Sequence, residues 1–505
     1  MVVYDAGTLN QGGLYPTEKI ELTQLVGFDY AMYDSLREKM SQLGVIVGGG
    51  RFFESIGMPP GRYISRAISP QSGERIFDED RDVASVQVAG YGEGLQRFAS
   101  LTTKGEPNGA VLLRNDVGSI LVSHHRVGKG ETLFVNIPLT YLKQRTDSIF
   151  LHGFLRYFAK KELLHPQLSE APRGRGAVVL NWHIDAKPAI PSLIRLNDLG
   201  LFQQEGPFSF HITAGPDVNT PGDAGGLDLE KNAELQSLLL RLQKRGHAIA
   251  SHGGWIHNYF GLHANENNAN DMVPLLEKNH EVITHLLGAV PREYSAPMGN
   301  QPLWAHTWLE NKGVIATYLT GNIGMGPTRL WMGERRISKL WTFPVLTLGK
   351  VATAEDAFFQ RVPQTTFDNW LQEVARYVQE ARAVRLIYFH PPGAMLYPNA
   401  VAGFIDRMGA CRKAAQCGWL TLTQAAEFMN KREQTRWQMD RTDKGWQLVA
   451  RHAQDLKDLA WRIPIQRFEQ PTVVLGDADV EQQGDEWIVV ARSGKILRLD
   501  IKEVQ

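Results

Sequence analysis

Ala177-Val-Val-Leu-Asn-Trp-His-Ile-Asp185 opens on an apolar run and ends on a carboxylate. The run Ala177–Trp182 reads as a strand buried on both faces. Downstream the same texture returns at regular intervals. Phe208-Ser-Phe-His-Ile-Thr213 is the next strand, Leu229 to Arg245 an amphipathic helix ending at Gly246, and Ala248-Ile-Ala250 a further strand. Val384-Arg-Leu-Ile-Tyr-Phe389 is a late strand and Thr421 to Lys431 a closing helix. Strands alternating with helices predict an α/β fold, a parallel sheet or barrel with helices outside. In such folds the chemistry gathers at the C-terminal ends of the strands.

Those ends carry a distinctive set of side chains. Asp185 follows the first strand, and Ser251-His-Gly-Gly-Trp-Ile-His257 follows the Ala248 strand. Arg292-Glu-Tyr-Ser-Ala-Pro-Met-Gly299 and His390-Pro-Pro-Gly393 occupy two further ends. Taken alone, each residue is an ordinary cap or loop residue. Together, one carboxylate and two imidazoles suit a divalent ion that keeps positions open for water and substrate. Such an ion lowers the pKa of its water and polarises an acyl oxygen.

The ordered landmarks resemble the polysaccharide deacetylases, the NodB-like carbohydrate esterases. Phe208–Gly215, Gln243–His252 and Gly418–Phe428 match that family's second strand, its run into the histidine motif, and its closing strand and helix. The resemblance covers about half of the chain. It implies a distorted (β/α) barrel over residues 172–432. It implies a metal centre of Asp185, His252 and His257, with zinc the expected ion, and a pocket lined by Trp255, Ser295 and Pro297. Trp255 falls between two expected ligands, which suits a wall against a sugar face. His183 falls where related variants place the catalytic base, and His390 fits the late histidine that acts as general acid. Asp185 is expected to share the proton-transfer work with these two.

Two departures stand out. The ligand histidines are five residues apart rather than four, which would separate them by about 140° on a helix. Gly253-Gly254 can absorb the extra residue in a non-helical turn. Ser295 stands where the family offers an arginine, with Arg292 three residues earlier. A neutral histidine base would not need that counter-charge. The implied activity is hydrolytic removal of an acyl group, N-acetyl first, from a carbohydrate. Two alternatives stay open: a catalytically degenerate glycan-binding or assembly protein, and a hydrolase of another non-peptide C–N bond.

Outside the barrel, residues 1–165 read as an α/β domain. Ser119–Ser123 and Thr132–Asn136 flank Val127-Gly-Lys-Gly-Glu131 as a hairpin, and Asp147 to Lys161 reads as a helix. Val127 to Leu139 loosely resembles the later half of a glutamine-amidotransferase-like domain. Residues 1–165 hold no cysteine, so no nucleophile for glutaminase chemistry. His165 to Gly174 reads as a linker, and residues 440–505 as a small β-sandwich-like domain with a hairpin around Ser493-Gly494.

Lys+Arg and Asp+Glu number 54 each among 505 residues, and no basic stripe advertises nucleic acid. No apolar run approaches the ~18 residues of a membrane helix. The first residues lack a signal-peptide pattern, so an extracytoplasmic location is an expectation from the resemblance alone. The only cysteines, Cys411 and Cys417, read as two reduced, packed thiols. Gly48–Gly50 and Gly90–Gly94 lack the lysine and spacing of phosphate loops and read as turns.

Overall fold

The structure, a computed structural model, describes residues 2–3, 41–65, 86–92, 94–103, 108–128, 130–144, 147–332 and 335–504. Most of the chain's start, Glu93 of the second glycine turn and Lys129 of the N-terminal hairpin lie outside these residues. The chain divides into two compact units, Met1–Leu163 with Thr347–Val351, and Leu164–Leu346 with Ala352–Gln505.

The second unit holds the barrel. Its strands are β1 (Gly176–Ile184), β2 (Ser209–Ile212), β3 (Ala248–His252), β4 (Glu293–Ser295), β5 (Ala316–Leu319), β6 (Thr328–Met332), β7 (Arg335–Pro344), β8 (Val384–Phe389) and β9 (Cys417–Trp419). They pair in the order β6-β7-β5-β4-β3-β2-β1-β8, with β9 also pairing β1. Every pairing is parallel except β6 with β7. The sheet curls until Val345, just past β7, makes a single parallel bridge to Leu386 of β8. With one bridge in place of a ladder, the distorted barrel expected is left unclosed.

All nine residues of β1 are buried, which explains their apolar run. Period-2 alternation then sorts them. Trp182 faces the outer layer, with its ring 5.4 Å from Phe202, 6.4 Å from Phe210 and 5.9 Å from Phe389. Asn181 and His183 take the opposite face, where they meet His211 of β2. The strand therefore builds the core with one face and aims polar groups inward with the other.

The expected linker is built into the C-terminal module. Gln167–Leu168 pairs antiparallel with Ala460–Pro464, and the six-stranded antiparallel sheet already starts at Arg436. Its long strand Glu486–Ile501 pairs with Ala460–Pro464 through its first half and with Gly445–Arg451 through its second. Trp461, Ile488, Val490, Leu497 and Leu499 are buried within it. Arg432 Nε donates to Ser169 O at 3.0 Å, so the barrel's last helix and the former linker are joined. The boundaries at 165–172 and 440 thus move, because these segments carry sheet hydrogen bonds that periodicity alone cannot reveal.

Cys411 and Cys417 are joined as a disulfide with Cα atoms 5.4 Å apart, instead of packing as two thiols. The helix Pro398–Lys413 turns directly into β9, which returns Cys417 beside Cys411.

In the first unit the hairpin is present as Ile120–Val127 and Gly130–Val135, in a nine-stranded sheet, and Ile149–Tyr157 forms the expected helix. Arg62, buried, pairs with Asp147 at 3.0 Å.

Candidate metal centre

Asp185, His252 and His257 converge. The His252 Nε2 lies 3.3 Å from Asp185 Oδ1, His257 Nε2 lies 3.5 Å from Asp185 Oδ2, and the two Nε2 atoms are 3.0 Å apart. Ligands of a tetrahedral zinc at 2.0–2.1 Å would stand about 3.4 Å apart, so the set spans one face of such a polyhedron. A ring nitrogen of His183 lies within 4.8 Å of the Asp185 and His252 ligand atoms. The described residues therefore hold a histidine–aspartate cluster able to bind a divalent cation.

Local structure explains the five-residue spacing. His252 ends β3, whereas His257 opens the helix His257–His263, so the two never share a helix. Gly253 turns the chain between them with φ at 66°. A Cβ at Gly253 would lie 2.3 Å from Pro297 Cγ, so only glycine fits that approach. Pro297, expected in the pocket wall, instead packs against the turn that delivers His257.

Hydrogen bonds fix the ring tautomers. His252 Nδ1 lies 3.0 Å from the carbonyl of Ser295, which can only accept, so Nδ1 carries the proton. His257 Nδ1 lies 2.7 Å from Asn258 Oδ1, and Asn258 spends its amide nitrogen on Asn219 at 2.7 Å. Both Nε2 atoms therefore present lone pairs, to each other and to Asp185. The Asp185 Oδ1 is itself buried without a hydrogen-bond donor. Three lone-pair donors facing one another in a buried site repel unless a cation lies between them. The donor set therefore suits a divalent cation.

Charge follows the same logic. Burial alone would raise the Asp185 pKa, but the positive charge that His257, His390 and His252 carry when protonated holds it well below the ordinary carboxylate range. Burial, opposed by Asp185 and reinforced by His257 and His211, lowers His252 to about 3. Burial and then His252 push His183 well below its usual value, so that ring is neutral. His183 is enclosed by His252, Tyr388 and Tyr318, with ring centroids at 4.3, 4.8 and 5.3 Å. Its Nε2 accepts from Asn181 Nδ2 at 2.9 Å.

His390 follows β8 and stands apart in charge. Its Nε2 is 3.3 Å from Asp185 Oδ2 and its Nδ1 3.3 Å from Glu355 Oε2. Against the lowering effect of burial, Asp185 and then Glu355 raise its pKa to about 10. Glu355 gave no signal in the sequence because it arrives from the segment between β7 and β8. Thr353 caps its short helix by accepting from Asp356 N at 3.1 Å, and a Cβ at Gly393 would collide with the Glu355 carboxylate at 2.1 Å. Gly393 of His-Pro-Pro-Gly is thus the space Glu355 needs.

Other expected residues take different places. Ser295, fully buried, faces His252 and His211 rather than a substrate opening; its Oγ lies 2.6 and 2.7 Å from their Nδ1 atoms. The strand's alternation turns it inward with Glu293. Arg292 is exposed and bonds to Glu427, so it does not replace the missing arginine. The Trp255 ring carries the Lys278 ammonium 4.2 Å from its centroid, a partner the sequence did not suggest. His211 is buried in the core, where it links Asn181, Ser295 and Glu293. The available signal was the period-2 placement of Asn181 with His183, Ser209 with His211, and Glu293 with Ser295.

No family model matches the chain, and no curated protein matches it. Solved structures do show similarity. A polysaccharide deacetylase from Bacillus cereus is 15% identical with a TM-score of 0.28, over 49% of this chain and 92% of that one. A chitin deacetylase from the fungal pathogen Colletotrichum lindemuthianum is 12% identical with a TM-score of 0.31, over 51% and 89%. An allantoinase is 13% identical with a TM-score of 0.33, over 50% and 88%. At these values the likeness covers about half of the chain and carries no chemistry of its own.

Proposed function

We propose that the chain is a metal-dependent hydrolase that removes an acyl group, N-acetyl first, from a carbohydrate. The observation that carries this reading is the trio of inward lone pairs on Asp185, His252 and His257 beside a protonated His390. Those three residues would hold the cation, with zinc the expected ion given two imidazoles and one carboxylate. When bound, the cation would acidify a water and polarise the acyl oxygen. The chain's residues would do the rest. His183, neutral and within one water's span of the centre, is the proposed base. To take a proton at Nε2 it must exchange the Asn181 amide for water. His390 would donate to the departing nitrogen or oxygen, with Glu355 holding its ring in line. His390, raised to about 10 by Asp185 and Glu355 while the site holds no cation, would come down toward the range of a working acid if Asp185 were engaged by one.

A second reading is a glycan-binding protein on the same barrel, favoured by the Asn181 hydrogen bond that occupies His183 Nε2. One experiment separates the two. Purified protein is assayed for bound metal and then for acetate release from a panel of N- and O-acetylated glycans, beside Asp185→Ala. Metal-dependent release that Asp185→Ala abolishes supports hydrolysis. Metal with sugar binding but no release from any glycan overturns it for the binding role.

A further inference from the structure

We propose that Glu293 is a positioning residue of the metal centre: through His211 and Ser295 it braces His252 in the Nδ1–H form that the Ser295 carbonyl also demands, and so tightens the centre's hold on its cation. The proposal rests on the metal reading above and extends it two residues deeper into the barrel.

With His211 a neutral ring, and with the Ser209 hydroxyl also bonded to Glu293, donors and acceptors along this chain fit one assignment. Glu293 Oε2 accepts from both the backbone N–H and the hydroxyl of Thr423, at 2.7 and 2.8 Å. Its other oxygen, Oε1, lies 3.2 Å from His211 Nε2, which must therefore donate. In a neutral ring that leaves His211 Nδ1 as an acceptor. Two donors reach it, the Ser295 hydroxyl at 2.7 Å and the Asn181 amide at 3.3 Å. Having given its proton to His211, Ser295 Oγ can only accept from His252 Nδ1, at 2.6 Å. The proton is then on Nδ1 of His252, and Nε2 faces Asp185 with a lone pair. The Ser295 carbonyl demands the same tautomer from the other end, at 3.0 Å. Glu293, His211 and Ser295 are all buried, so no bulk water can substitute for a missing link. A ligand imidazole whose other nitrogen is anchored in this way is a stronger and better-aimed donor.

Glu293→Gln tests this because it keeps shape and inverts polarity. Thr423 presents two donors, so the Gln oxygen must take the Oε2 place. The amide nitrogen then faces His211 Nε2, which has to become an acceptor. The His211 proton moves to Nδ1 and opposes the Ser295 hydroxyl.

The measurement is made on the full chain without metal, by the ring nitrogen shifts of His211 and His252, and then with zinc against a chromophoric chelator. The wild type is expected to show Nε2–H on His211 and Nδ1–H on His252. Glu293→Gln should move His211 to Nδ1–H and weaken zinc binding about 10–100-fold. A purely structural role would lower the melting temperature without changing the tautomer. Ser295→Ala, which keeps the carbonyl and removes the hydroxyl, is the second variant should Glu293→Gln fail to fold, and should weaken zinc binding in the same direction. Wild-type His211 in the Nδ1–H form, or zinc affinity within twofold of wild type in whichever variant folds, overturns the proposal. Wild-type protein that takes up no zinc sinks the metal reading instead, and with it the affinity half of the proposal. The ring spectra still decide the relay in that case.

Discussion

Replacing Glu355 by glutamine removes one of two carboxylates that face His390 and leaves the shape of the site in place. The other, Asp185, is shared with the metal centre, so Glu355 is the partner that can be changed without touching a proposed ligand. Its Oε2 lies 3.3 Å from His390 Nδ1. Two unit charges at that distance attract by about 1.3 kcal/mol in a medium as polarisable as water, and by about 5 kcal/mol at an effective dielectric near 20. Both side chains are about a quarter exposed, at 26% and 24%, so the weaker end applies. About 1.3 kcal/mol corresponds to one pKa unit. The His390 pKa, held at about 10 without metal, should therefore fall by about one unit in Glu355→Gln.

The direction follows from the role. An acid must be protonated to act, so activity is lost as pH rises through its pKa, and a lower pKa brings that loss to lower pH. The ring resonances of His390, titrated in metal-free and zinc-loaded protein, read the pKa without needing a substrate. Once a substrate is found, the alkaline limb of kcat/KM should move by the same unit while the rate on the acid side of that limb is little changed. A His390 pKa that does not move, with zinc still bound, would refute the coupling of Glu355 to the acid.

Three further outcomes can be checked. Asp185→Ala and His257→Ala should each abolish stoichiometric metal binding, read by metal analysis after dialysis, since each removes one of three donors. Gly253→Ala should cost about 1–3 kcal/mol in denaturant unfolding and weaken metal binding, because its Cβ has no room beside Pro297 and its φ is positive. Stability of the metal-free protein should peak near pH 6.5. The lowered pKa of His252, about 3, makes the unfolded chain bind more protons below 6.5, so stability falls as pH drops from there by up to about 1.4 kcal/mol per unit for that ring. The raised pKa of His390 works the other way, with its stabilisation complete below 6.5 and lost as pH climbs toward 10. Chemical denaturation across pH 4–9 reads both slopes.

What the sequence made legible was local. The apolar run at Ala177, the turn glycines at 253 and 254, and the carboxylate at 185 each state their place within a few residues. That is why β1, the break between His252 and His257 and their approach to Asp185 could be anticipated. What escaped depends on contacts made far along the chain. Gln167–Leu168 reads as linker until Ala460–Pro464, almost three hundred residues later, supplies its hydrogen-bond partners. Glu355 carries no motif and gains meaning only where Gly393 leaves it room beside His390. Ser295 was placed by analogy with an arginine that reaches into a pocket. Its inward direction is a property of β4's alternation with Glu293, which the analogy hid.

The histidine at 183 and the serine at 295 form one feature when the interior is considered as a whole. An arginine at position 295 would stand fully buried beside His211 and His252, and a buried guanidinium without a carboxylate costs several kcal/mol. A base aspartate supplies that carboxylate in the familiar arrangement. Here position 183 holds a neutral imidazole, whose pKa burial and His252 keep well below its ordinary value, so that position offers no anion to receive an arginine. A serine in its place is neutral, small enough to sit between two rings, and able both to accept and to donate. Restoring one half of the pair alone should therefore fail. Ser295→Arg in the present background should unfold the barrel or expel metal. His183→Asp alone should leave a second buried carboxylate near Asp185 with a raised pKa and no partner. Only the double change His183→Asp with Ser295→Arg has its charges balanced. Measured in a double-mutant cycle on stability and zinc affinity, the two substitutions should show a favourable coupling well outside the few tenths of a kcal/mol seen for independent sites. Additive effects would mean that the residues at 183 and 295 are not coupled.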